Sequence, residues 1–356
     1  MVDLRPTRAG WDSQAVYELV GATTRLIGDR AAAGRGEGLR IALVTVGGRA
    51  HDDSARAHIG ALQGYVQSVN AEAGAPVLVY CDLDAVVEAN VALPARELVA
   101  YAPAPAVAYR AGTRTERALS PAPRDPAGVA AEIKEGGRYI VTGGLGGVGR
   151  ELSRFLAEKY GARLVLVGST PAPHLDESRL ARYTALKVRG MAALAGELAK
   201  DALLVGFSSV NAYFGGAGYT EHSASNSALN AAVQGLREQG YRRAMSLGWS
   251  AWSGTGMSGG AGGSLPAERR GFLSLDVDLA LESVDVAVRR NQPVTYIGLD
   301  GAHPDVASHV RHKPGWELVS RYFYAARLRE QGPPPGPVSR STPRRPSPRS
   351  PGFSAS

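Results

Sequence analysis

Apolar residues along this chain recur in two patterns: short β-branched runs, and longer stretches with apolar positions on one helical face. Residues 40–46 are a compact apolar run ended by Gly47 and Gly48, which predicts a buried strand. Residues 54–73 carry Ile59, Leu62, Val66 and Val69 at helical spacing, which predicts a helix. A second strand is predicted over 76–80, and a strand pair turned at Gly112 over 107–119. A helix is predicted near the start, over 11–30.

Residues 120–126 are rich in proline and read as a linker. A second alternation follows. Strands are predicted over 138–142, 163–167, 203–207, 243–247 and 294–298, with helices over 149–160, 178–198 and 223–238. Strands alternating with helices imply an α/β fold with a parallel sheet. The Gly- and Ser-rich stretch 254–265 reads as a loop or lid. Four segments result: a first α/β unit over 1–120, a linker over 121–136, a second α/β unit over 137–325, and a Pro/Ser/Arg tail over 326–356. From Gly332 onward the tail is too poor in apolar residues to bury a core and is expected to be disordered.

Composition narrows the function classes. The net charge is +7, but the last 26 of the 356 residues carry four arginines and no acid. The other 330 residues are left with +3, and no basic patch with interleaved aromatics argues for nucleic acid. Cys81 is the single cysteine, so neither an internal disulfide nor a cysteine zinc site is expected. The other histidines, His51, His58, His174, His303, His309 and His312, show no metal-ligand spacing. No apolar run is long enough to span a membrane and the start lacks a signal-peptide pattern, so the expectation is a cytoplasmic protein.

The strongest local motif is Thr142-Gly143-Gly144-Leu145-Gly146-Gly147-Val148-Gly149, placed between a predicted strand and a predicted helix. Glycines there permit a tight turn and a close backbone approach to a diphosphate at the helix N-terminus. The bland alternative is a turn that only packs helix on sheet. By contrast, Gly47-Gly48 lacks the spaced glycines of a nucleotide loop, so no cofactor is expected in the first unit.

The Thr-Gly-xxx-Gly-x-Gly spacing resembles the short-chain dehydrogenase/reductase (SDR) superfamily. The segments Gly137–Gly149, Phe207-Ser208-Ser209-Val210 and Ser246–Met257 resemble the ketoreductase domains of modular polyketide synthases. The resemblance spans roughly 38–310 and implies an SDR-type Rossmann-like parallel sheet, preceded by a truncated, cofactor-free Rossmann-like structural subdomain. It also implies four working groups: a tyrosine that protonates the ketone oxygen, a serine that orients it, a lysine that lowers the tyrosine pKa, and an asparagine that holds the relay. Ser209 matches the serine, Lys187 the lysine and Asn226 the asparagine. His222 stands at the tyrosine position, and Tyr219 lies three positions early. Thr142, Gly143, Gly147 and Gly149 match the cofactor loop as a vestige. Tyr213, Phe214, Tyr219 and Trp252 are expected to line the substrate cleft, with Trp249 and Trp252 as wall residues; such aromatics are as often plain packing.

Two departures from the family weigh against reduction. Ser169 follows Gly168 where the family has an arginine for the NADPH 2′-phosphate. Only eight residues then separate Ser169 from the predicted lysine helix, where the family has about sixty more, including two strands. Without the strand between them, the glycine-loop strand and the serine strand must pair directly or leave a slot. Either outcome moves the groove floor by about 4.8 Å, whereas hydride transfer needs atoms at about 3–3.5 Å. No cofactor is therefore expected. Lys187 nearby disfavours an imidazolium, so His222 is expected to be neutral, acting as a general base or polarising a carbonyl by hydrogen bonding. The bland reading is that His222 fills a decayed site. Acyl transfer by Ser209 and His222 is disfavoured because no Gly-x-Ser-x-Gly elbow surrounds Ser209.

The expectation is a ketoreductase-like protein of polyketide biosynthesis that performs a non-redox step: cyclisation, dehydration, epimerisation or pericyclic ring closure. Its partner would be a polyketide intermediate or product, free or on an acyl carrier protein. The alternatives are a non-catalytic scaffold or docking subunit of a synthase module, and an NADPH-dependent reductase with His222 as proton donor.

Overall fold

The computed structural model describes residues 2–3, 13–34, 36, 38–47, 53–74, 77–84, 90, 92–100, 105–122, 130–168, 185–255, 265–310 and 323–331. Thirteen strands are seen among them: β1 Val2–Asp3, β2 Ile41–Val46, β3 Leu78–Leu83, β4 Ala106–Arg110, β5 Thr113–Pro121, β6 Arg138–Thr142, β7 Arg163–Val167, β8 Leu204–Ser209, β9 Ala244–Trp249, β10 Ala251–Trp252, β11 Ser274–Leu275, β12 Val294–Ile297 and β13 Phe323–Gln331. The main helices are α1 Ser13–Ala32, α2 Asp53–Ala73, α3 Leu93–Val99, α4 Gly147–Tyr160, α5 Gly190–Glu197, α6 Thr220–Glu238 and α7 Val277–Arg290. The fold is α/β with parallel strand pairings, as expected.

Nine strands form one sheet in the order β1-β2-β3-β4-β5-β13-β12-β9-β8. Strands β1 to β4 run parallel, as do β8, β9 and β12. The two groups are joined through antiparallel pairings of β4 with β5, β5 with β13, and β13 with β12. β2 and β3 are buried almost along their whole lengths, which is why they read as unbroken apolar runs.

Helices α2 and α6 press the two halves together. A Cβ on Gly64 would lie 2.4 Å from the Ser223 carbonyl oxygen, and one on Gly60 would lie 2.6 Å from that of Ser227. The facing side of α6 is correspondingly small: Ser223, Ala224, Ser227, Ala228 and Ala231. Glycines four residues apart on α2 thus let two helix backbones meet almost directly.

The glycine-loop strands stand apart. β6 and β7 pair only with each other, in parallel, as a separate two-stranded sheet. Of the two outcomes the missing segment allows, direct pairing with β8 does not occur. The small sheet is anchored on one side: Val141 and Leu156 join a core with Leu247, Trp249, Trp252 and the α7 residues Leu281, Val284 and Val288. On its other side Ile140, Val165 and Val167 are exposed, Val165 by 60%.

Some expectations shift. The helix predicted over 178–198 is seen from 185 on only, as a π-turn Ala185–Arg189 leading into α5; residues 169–184, with Ser169, lie outside the described residues. Most of the predicted lid, 256–264, and everything from Gly332 onward also lie outside them. β13 runs past residue 326, where the sequence reading begins a tail, because β5 and β12 supply partners on both edges. Two of the main helices were not anticipated. α3 is one. The other is α7, capped by the Asp276 side chain accepting from the Leu279 amide at 2.8 Å and closed by Asn291 in a left-handed conformation.

Candidate functional site

Ser208 and Ser209 end β8, where strand gives way to the single turn Asn211–Phe214. The Ser209 hydroxyl oxygen accepts from the Asn211 amide at 3.2 Å. His222 and Asn226 lie one turn apart on α6, so both face the same way. Ser208 ties that helix to the strand by donating to the Asn226 carbonyl at 3.2 Å. Lys187, on the π-turn before α5, donates to the Phe207 carbonyl at 2.9 Å. The chain thus brings Ser209, Lys187, His222 and Asn226 from three elements to the end of β8.

The electrostatics follow from burial. Lys187 is lowered to about 8 by desolvation, against an ordinary value of 10.5. His222 is lowered to about 4, mainly by desolvation and further by the charge of Lys187. Near neutral pH the imidazole is therefore uncharged, as expected from the sequence. Its Nε2 lies 3.1 Å from the Asn226 amide nitrogen, which also donates to the His222 carbonyl at 2.8 Å. Among the described residues no hydrogen bond joins His222 to Ser209.

Other anticipated residues fall in different places. Tyr219 is half exposed, its ring 6.1 Å from that of His222. Tyr213 and Phe214 are buried rather than at a cleft rim: Tyr213 packs on Tyr296 and Phe214, and its hydroxyl donates to the Arg117 carbonyl at 3.1 Å. They serve packing because the turn carrying them is wedged between the halves, with Arg117 held over the Tyr213 ring. Trp252 lies in the core, buried edge-on against Trp249, which stacks on Phe207. The indole N–H groups of Trp249 and Trp252 are buried with no partner among the described residues, a feature that residue spacing does not reveal.

The glycine loop keeps its local form. Thr142 ends β6, Gly143 adopts φ +72°, and Gly146 precedes the first turn of α4 with Gly147 and Gly149 inside it. A Cβ on Gly149 would fall 2.1 Å from the Gly143 carbonyl oxygen, so only glycine fits there. The turn therefore retains the close packing of a dinucleotide loop, although its strand has left the main sheet.

The KR domain family model matches in two pieces, residues 137–180 and 170–254, which overlap where the sequence departs from the family. Together the two matches cover residues 137–254, about a third of the chain. This KR region has relatives among polyketide synthases. The chain is 25% identical over 262 residues to erythronolide synthase EryA3 of Saccharopolyspora erythraea, covering 55% of this chain and 8% of that protein. It is 40% identical over 105 residues to the pikromycin polyketide synthase component PikAII of Streptomyces venezuelae, covering 28% of this chain and 3% of that one. The chain thus spans less than a tenth of the length of these synthases. Among solved structures, the first ketoreductase of the tylosin polyketide synthase superposes with a TM-score of 0.63 at 23% identity, over 85% of this chain and 78% of the other. The KR fold is thereby shared, and residues 137–254 are similar to KR regions of polyketide synthases. Among the described residues, no helix is long and apolar enough to cross a membrane, and no group of three or more metal-binding side chains occurs.

Proposed function

We propose that this ketoreductase-like chain acts on a polyketide intermediate without transferring hydride. The observation that carries the reading is the separation of β6–β7 from β8. In an SDR-type reductase the nicotinamide must lie across the sheet from the glycine loop to the serine. Here the loop strand and the serine strand belong to different sheets. The fit to NADPH is therefore split. The tight Gly143–Gly149 turn suits a diphosphate. The sheet that would support a nicotinamide on its way to Ser209 is interrupted, and Ser169 offers no cation to a 2′-phosphate. No cofactor is assigned.

The remaining polar groups suit carbonyl chemistry. A neutral His222 and the Ser209 hydroxyl can hydrogen-bond a ketone or enolate oxygen, and Lys187 adds positive charge close by. Polarising a β-keto group in this way favours enolisation, the common first step of cyclisation, dehydration and epimerisation. The substrate class is an acyl chain bearing a ketone, free or carried as a thioester on an acyl carrier protein.

The test is incubation of the purified protein with a β-ketoacyl thioester, with and without NADPH. An altered acyl product formed without nicotinamide, and lost in His222→Gln, is expected. An unchanged thioester without NADPH, together with a hydroxyacyl product in its presence, overturns the proposal in favour of reduction. A second reading, a docking subunit, is favoured by the apolar face of β6–β7, which monomers seldom expose. It is distinguished by a triple variant, His222→Ala, Ser209→Ala and Lys187→Ala, that restores production in cells.

A further inference from the structure

We infer that Asn226 is a positioning residue that locks His222 in the tautomer with its proton on Nδ1, so that the ring meets substrate as a hydrogen-bond donor. This rests on the reading that His222 faces the substrate, and it reverses the role of base that the residue type alone suggests.

Three atoms decide the tautomer. The Asn226 amide nitrogen lies 2.8 Å from the His222 carbonyl oxygen. That oxygen offers only lone pairs, so the amide must present its NH2 group there and its orientation is fixed. The same nitrogen lies 3.1 Å from His222 Nε2. Its second hydrogen meets the ring nitrogen, which must then be the unprotonated one. In a neutral imidazole the proton sits on the other nitrogen. Turning the amide over would set Oδ1 against the carbonyl lone pairs and break the first bond. In the observed orientation Asn226 Oδ1 is buried and has no partner among the described residues, while Asn226 itself is only 1% exposed.

The consequence is chemical. With Nε2 occupied by the amide, a proton cannot be taken up there without breaking that contact. Nδ1–H is left to donate, and it suits a ketone or enolate oxygen rather than the hydrogen of an alcohol. Asn226 thus selects a carbonyl-bearing ligand through the ring it holds, without touching that ligand.

The experiment is a long-range proton–nitrogen correlation spectrum of the full chain with 15N-labelled histidine at neutral pH. His222 is identified among the seven histidines by the signals missing from His222→Gln. A protonated Nδ1 and an unprotonated Nε2 are expected. A protonated Nε2, or two averaged nitrogens, overturns the proposal, and this measurement needs no folded variant at position 226. Asn226→Asp is expected to draw the proton to Nε2, because a carboxylate only accepts, and Asn226→Ala to give averaged signals. An unchanged Nδ1–H pattern in folded Asn226→Asp also overturns it. The spectrum uses no substrate, so a locked tautomer in a protein inert toward β-ketoacyl thioesters would sink the proposed function and leave this inference standing.

Discussion

The two sheets of this protein meet opposite conditions. In the nine-stranded sheet, the helix contact at its waist is so close that two glycines are required. In the two-stranded sheet, one face leaves Ile140, Val165 and Val167 exposed. Both are made of strands with similar β-branched sequences. What differs is neighbours: parallel strands are ordinarily covered on both faces, and among the described residues β6 and β7 pair only with each other. Local sequence makes a strand, and only tertiary partners decide whether it is buried.

The comparison is broken most forcefully in the first half. Arg114 lies buried between Glu97, which it meets at 2.7 and 3.0 Å, and Glu116 at 3.2 Å. Arg114→Met leaves two buried carboxylates without their cation and is expected to cost about 3–5 kcal/mol by urea denaturation. Next comes the waist. In an open helix Gly→Ala stabilises by about 1 kcal/mol. At Gly64 the added methyl would meet the Ser223 carbonyl, so Gly64→Ala is expected to destabilise by about 1–3 kcal/mol. A gain in stability would mean that the helices are further apart than described.

The site at the seam gives a smaller, pH-dependent effect. His222 titrates near 4 when folded and near 6.5 when unfolded. Between these values the unfolded chain binds the extra proton, so stability falls as pH drops from about 6.5 to 4. The loss attributable to His222 should be about 1–2 kcal/mol after allowing for its partial exposure. The acid arm of the stability profile should be correspondingly flatter in His222→Gln. The smallest effect sharpens the contrast: Val165→Thr, on the outer face of β7, is expected to change stability by less than about 0.5 kcal/mol. A cost above about 1.5 kcal/mol would show that something covers this face in solution.

The sequence was most readable where structure is local. β6 and β7 begin and end at the predicted residues, and the glycine loop adopts its turn because Gly143 and Gly149 permit nothing bulkier. Ser209, Lys187, His222 and Asn226 could be picked out by family spacing, while their contacts could not. α7 was readable but passed over: Asp276 before it and Arg289 and Arg290 in its last turn are ordinary helix signals. β13 was not readable. Its mixed sequence, Phe-Tyr-Ala-Ala-Arg-Leu-Arg-Glu-Gln, becomes a strand only because β5, some two hundred residues earlier, leaves an edge open to it. The burial of Tyr213 and Phe214 likewise depends on partners such as Tyr296, distant in the chain. The orientation of the Asn226 amide needed atomic neighbours, which spacing alone does not supply.

β13 occupies the middle of the large sheet, between the last strand of the first unit and β12. Of the described strands it is the final one in the chain, so it emerges last from the ribosome. Until residue 331 clears the exit tunnel, the nascent protein carries two half-sheets, each with a bare inner edge. The large sheet is therefore closed from its centre, and its assembly resembles the setting of a keystone more than the addition of a layer.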